Sequence, residues 1–328
     1  MSRKLLIPMC MLVCLPVVVT AQSRETAPRT SWGAPDLQGV YDFGTATPFQ
    51  RPLELEGRSE FTAEEAAVQV QRNAEQFAEG FNTENLVPPN YNNFWFDRGA
   101  GVVDGNRTSL ITSPENGRVP ALQPGVEMVT LSLGEDLPGT QPVRVRAAGI
   151  GADHWQDRGL AERCLLGFNS GPPIVPAGYN QNLQIFQTPD HVVIFTEQNN
   201  NPPRIISLDA RSPMSENIRQ YPGDSRGHWE GDTLVIESSH FNDRSAWEGS
   251  SRDLKVLERF TRVSDDRIHY EFTVEDPATW DQPWSAEIPM MATEGPMYEY
   301  ACHEGNHDIR HIQEVYRNIE LQEAPETR

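Results

Sequence analysis

Four short stretches hold the residue types best suited to chemistry. The densest is Gly223-Asp224-Ser225-Arg226-Gly227-His228-Trp229-Glu230-Gly231-Asp232, with three carboxylates, one His, one Arg and one Trp. Paired carboxylates act as acid and base in glycoside cleavage, and Trp stacks on sugar faces. A His beside an Arg can serve as base and charge stabiliser. The same residues also suit a structural turn into a hairpin, with Arg226 paired to a carboxylate. The second stretch, Val274 to Trp284, puts Glu275, Asp276, Trp280 and Trp284 after a predicted strand. Loops on a rigid β scaffold are where binding groups usually sit. Its plainer reading is two tryptophans plugging a barrel end. The third, Gly178-Tyr179-Asn180-Gln181-Asn182, offers amides and a phenol that can bind a ligand or form a turn.

The fourth stretch, His303-Glu304-Gly305-Asn306-His307, matches H-E-x-x-H and is followed by His311. On a helix that spacing puts two His on one face to hold zinc, with Glu as general base. The interior Gly-Asn pair suits a turn or helix start better than mid-helix. In that reading Asn306 caps the last helix.

These groups need a scaffold. Between 183 and 302, β-branched and aromatic runs alternate with turn chemistry. The predicted strands are Leu183–Thr188, His191–Glu197, Arg204–Leu208, Gly227–Trp229, Thr233–Ser238, Leu254–Val263, Arg267–Val274 and Trp284–Met291, with Met297–Cys302 a further candidate. Within Arg267–Val274, the residues Ile268, Tyr270, Phe272 and Val274 fall on one face. The fold class expected is mainly β: an antiparallel meander forming a barrel or strongly curved sheet, calycin-like. Residues 22–125 read as an N-terminal arm packed on the body. It carries one amphipathic helix at Thr62–Phe81, with Thr62 and Glu65 as a capping box and Ala66, Val70, Ala74 and Phe77 at helical spacing. The aromatics Tyr91, Phe94, Trp95 and Phe96 argue that the arm packs rather than floats. Residues 126–321 form the β domain with a closing helix at Asp308–Leu321, and 322–328 a frayed tail.

Composition bounds the rest. The 328 residues carry 47 Asp plus Glu against 27 Lys plus Arg, a formal charge of -20. That balance disfavours nucleic acid and anionic polymers as partners. Lys4 and Lys255 are the only lysines, so Arg supplies nearly all positive charge, and Arg–carboxylate networks are expected around 224–232 and 258–276. Residues 1–21 read as a secretory signal: Arg3 and Lys4, then Leu5 to Val19, then a cleavage site ending at Ala21. No internal run is long enough to span a membrane. A periplasmic or secreted location follows, and Cys164 and Cys302, the two cysteines beyond the signal, are expected to pair.

The segments PDLQGVY (35–41), ERCLLGFNSGPP (162–173), NIRQYPGDSRGHWEGDTLVIES (217–238), YEFTVEDPATWDQPW (270–284) and YEYACHEGN (298–306) resemble those of a large family of secreted bacterial β-rich proteins. The resemblance implies export and a shared fold but no reaction. It also marks His228 and His307 as departures from the family's pattern.

The leading functional expectation is a hydrolase or lyase using acid/base chemistry on a small neutral organic or carbohydrate substrate. Asp224 or Glu230 would be base, Glu275 or Asp276 acid, and Arg226 charge stabiliser. Tyr179, Asn180, Asn182, His228, Trp280 and Trp284 would bind substrate. This reading needs no cofactor. The alternatives are a carrier holding an apolar ligand inside the barrel, and a zinc hydrolase using His303 and His307.

Overall fold

The computed structural model describes residues 28–80, 99, 101–126, 154–167, 169–176, 178, 180–198, 203–209, 212–242, 247 and 249–323. The predicted signal segment, the aromatics at 91–96, Tyr179 and the end of the tail lie outside these residues.

The alternating runs become strands: β1 Gly39–Asp42, β2 Ile111–Ser113, β3 Asn182–Gln187, β4 His191–Thr196, β5 Arg204–Ser207, β6 Asp224–Glu230, β7 Thr233–Ser239, β8 Lys255–Ser264, β9 Arg267–Glu275 and β10 Trp284–Thr293. Nine of them close a barrel in the order β1-β3-β4-β5-β6-β7-β8-β9-β10, with β10 returning to β1. Closure removes the open sheet edges that would otherwise invite aggregation. One edge of β10 is shared. Ser285 and Ala286 meet β2, while Met291 meets Asp42 of β1. Neighbours are antiparallel except β5 and β6, which touch in parallel at Ser207 and Arg226. The chain reaches β6 by a long connection there instead of a hairpin.

The mainly β barrel with one helix near each end is therefore as expected, with two refinements. Residues 22–125 supply a stave, β1, as well as a helix. Met297–Cys302 forms no strand. Gly295 turns the chain at φ 70, Pro296 removes a ladder donor, and Tyr298 stays 65% exposed.

Helix α1 spans Ala63–Gly80. Its capping box is reciprocal: the Glu65 amide donates to Thr62 Oγ1 at 3.2 Å, and the Thr62 amide to Glu65 Oε2 at 2.8 Å. Helix α2 spans Asp308–Glu323, running into the predicted tail. It is tied down by the Cys164–Cys302 disulfide, 138 residues apart in sequence, and by Arg158 over the Tyr316 ring at 5.7 Å. In the chain-entropy account such a bridge contributes roughly 5 kcal/mol. No helix among the described residues is long and apolar enough to cross a membrane.

The barrel is filled by side chains. Ile268, Tyr270, Phe272 and Val274 of β9 all point inward and are buried, as the alternation predicts. Phe260, Ile288 and Met290 join them. One end is sealed by Trp247, Trp280, Trp284, Phe49 and Phe272, with Trp247 stacked on Trp284 at 5.7 Å.

Candidate functional site

The carboxylates of the 223–232 stretch stand on β6 and its hairpin, and most are engaged. Asp224 is buried and holds Arg226 through both oxygens at 3.1 Å, while also accepting the Met214 amide at 3.0 Å. Glu230 lies on the outer face between His228, at 3.2 Å, and Arg259, at 2.9 Å. Its pKa falls below the usual carboxylate value, first through Arg259 and then His228. These pairs are the Arg–carboxylate networks that the arginine-rich composition predicts. They leave Asp224, Arg226 and Glu230 bracing the sheet rather than converging on one opening.

The 274–284 stretch divides. Asp276 is 2% exposed and locks a turn. It accepts from the Ser251 amide and hydroxyl at 2.6 and 2.9 Å, and from Thr279 Oγ1 at 2.8 Å. Trp280 and Trp284 are each 1% exposed, so they plug the barrel and cannot serve as a substrate platform. Bulky apolar rings gain more from that interior than from solvent. Glu275, the residue after the last inward rung of β9, stays exposed. Groups at 180–182 also serve the fold: Asn182 Nδ2 donates to Glu197 Oε2 at 2.9 Å, and the Asn180 backbone carbonyl accepts from Asn169 Nδ2 at 2.8 Å.

The H-E-x-x-H match is not assembled as a helical zinc site. Helix α2 begins at Asp308, after the motif. Gly305 sits at φ 73, which reverses the chain between the two His. Asn306 does not cap the helix; its Nδ2 donates to the Glu162 carbonyl at 3.0 Å, beside the disulfide. His303, Glu304 and His307 are exposed and form no convergent donor set among the described residues.

Two adjoining surface clefts do collect chemical groups, and Arg219 lines both. The larger, about 500 Å³, is walled by Arg204, Tyr221, Asp224, Ser225 and Asn242. The other, about 410 Å³, is lined by Glu216, Ser239, His240, Asp253, Lys255 and Glu275 among others. Here Ser239 Oγ and His240 Nδ1 are 2.8 Å apart. His240 holds φ 58, a left-handed conformation that residues with a side chain rarely adopt. Its Nε2 makes no hydrogen bond among the described residues. Of the residues predicted from sequence to be catalytic, Glu275 lines this cleft and Asp224 its neighbour.

Sequence reasoning missed Ser239 and His240. Their signal was a Ser-Ser-His run ending a predicted strand. It also missed the polar cluster inside the barrel. Arg204 donates to both oxygens of Glu258, at 3.1 and 2.6 Å, and Tyr270 Oη donates to Glu258 Oε1 at 2.8 Å. The Ile174 amide donates to Tyr270 Oη at 3.0 Å, while Ser225 and Ser238 share a hydrogen bond beneath Arg204. Burial first, then Glu258, pushes the Tyr270 hydroxyl well above its ordinary pKa.

Compared with family models, curated proteins and solved structures, the chain matches none.

Proposed function

We propose that the protein is an exported acid/base enzyme, a hydrolase or lyase, acting on a small neutral organic or carbohydrate substrate in the cleft of Ser239 and His240. One observation carries the reading. His240 is held at φ 58 in that cleft, with Nδ1 on the Ser239 hydroxyl and Nε2 without a protein partner among the described residues. A left-handed non-glycine residue costs on the order of 1–3 kcal/mol, and such outliers concentrate at functional sites.

The chemistry follows from the tautomers. With Nδ1–H donated to Ser239 Oγ, Nε2 carries a lone pair that takes a proton from substrate or water. The imidazolium so formed, still donating Nδ1–H to Ser239 Oγ, returns that proton from Nε2 to the leaving group. Glu275 supplies a second proton carrier. Glu216, Asp253 and Glu275 are balanced by Arg219, Arg252 and Lys255 along the same wall, so a neutral substrate meets little net charge there. Those cations can also stabilise developing negative charge. The disulfide supports export, as does the resemblance to secreted bacterial proteins. The carrier alternative has less support, because the inward side chains of β9 leave almost no exposed surface to a ligand.

The test is a turnover screen of the purified protein on p-nitrophenyl esters and neutral p-nitrophenyl glycosides. On a substrate so found, His240→Gln should lower turnover by about 10²- to 10⁴-fold with the thermal midpoint preserved. Unchanged turnover in His240→Gln ends the reading.

A further inference from the structure

We infer that His269, Glu271 and Glu287 form a site for one divalent transition-metal ion of zinc's class on the outer face of the barrel. The β9–β10 ladder puts Glu271 directly across from Glu287. His269 stands two residues earlier on β9, hence on the same face. One donor atom from each side chain lies within 4.8 Å of the other two. All three groups are half-buried and rooted in a continuous ladder running from Trp284 to Met291, so the backbone holds their spacing.

The local charge calls for a cation. Two carboxylates directly opposite each other repel. Arg107 relieves one of them, pairing with Glu287 Oε2 and donating to the Glu287 carbonyl at 3.1 Å. His269 Nε2 lies 3.6 Å from that same oxygen. Glu271 has neither a hydrogen bond nor an ion pair among the described residues. A divalent ion bridging the imidazole and both carboxylates supplies the missing charge. One nitrogen and two oxygens make a borderline donor set, which suits Zn²⁺ among the first-row metals. Three protein ligands on a solvent-facing surface leave further positions to water, as in open zinc sites. Arg107 would then act from the outer shell, orienting the Glu287 carboxylate. No motif announces this set, because its two halves are joined only by strand pairing.

The experiment uses the whole protein, stripped with chelator, dialysed against micromolar Zn²⁺ and assayed by elemental analysis, with Co²⁺ absorption as a second readout. One zinc per chain is expected, with a cobalt band in the visible. Affinity should fall about tenfold or more in His269→Ala and in Glu271→Gln. The near-isosteric Glu271→Gln decides the matter if His269→Ala misfolds. A variant carrying both His303→Ala and His307→Ala should bind like the wild type. Absence of stoichiometric metal overturns the site. So does undiminished binding in Glu271→Gln, or loss of binding in the His303/His307 variant, which would move the metal to the sequence motif.

Discussion

Strand β9 carries two kinds of charge chemistry on its two faces. Inward, Tyr270 meets Glu258 and Arg204, and every one of these groups is nine-tenths or more buried. Outward, one residue either side, His269 and Glu271 stand half-buried on the barrel wall. In the inner set the carboxylate and the phenol are engaged: Glu258 accepts from Arg204 and Tyr270, and Tyr270 accepts from the Ile174 amide, while Arg204 Nε is left without a hydrogen bond. In the outer set Glu271 has neither a hydrogen bond nor an ion pair among the described residues while facing Glu287. Desolvation explains the contrast. A buried charge must be paired and hydrogen-bonded, whereas a group at the water boundary can keep capacity in reserve. The inner face is thus committed to the fold, and the outer face is free to bind.

The largest effect should come from breaking the inner pair. Glu258→Gln strands Arg204 in the barrel and should cost roughly 3–5 kcal/mol in urea unfolding. Replacing both partners, Arg204→Met with Glu258→Leu, should recover most of that loss; failure to recover would show that the pair does more than satisfy itself.

Tyr270→Phe comes next, at about 1–3 kcal/mol, because it orphans the Ile174 amide. Here pH sharpens the comparison. The Tyr270 pKa is raised in the folded state, so its contribution is complete below the ordinary value of 10.0 and is lost as pH rises through the folded value. Between about pH 8 and about pH 11 the wild type should therefore lose more stability than Tyr270→Phe. Equal losses would mean that Tyr270 is not held neutral.

The smallest effect belongs outside. In metal-free protein, Glu271→Gln should change stability by less than about 0.5 kcal/mol, with the sign toward stabilisation because a like-charge opposition disappears. A loss of several kcal/mol there would erase the distinction between the faces.

How much could be read in advance varied with the range of the interaction. The β9 alternation, the Thr62–Glu65 capping box and the hairpin turns are local, and sequence analysis located them. The pairing of Cys164 with Cys302 was also legible, since on the expectation of an exported chain without residues 1–21 only these two thiols remain to oxidise. The ninth stave was not. Gly39–Asp42 is a short run whose strand character comes from pairing with β3 and β10, whereas Met297–Cys302 has the composition but pairs with no strand among the described residues. The candidate site divided in the same way. Asp276, Trp280 and Trp284 look like ligand groups in one dimension. Their burial depends on Ser251, Trp247 and Phe49, which are distant in sequence or unremarkable alone.

By itself the sequence determined the barrel class, the disulfide and the use of Arg as the cation, because periodicity, thiol count and composition act through short-range or whole-chain physics. Only the tertiary structure decided which charges are available. It spent Asp224, Arg226 and Asp276 on bracing, left the H-E-x-x-H run as a turn, and brought His240 into a cleft and Glu287 against Glu271. Availability is set by desolvation and by strand register, and both are properties of neighbours that the chain acquires only on folding.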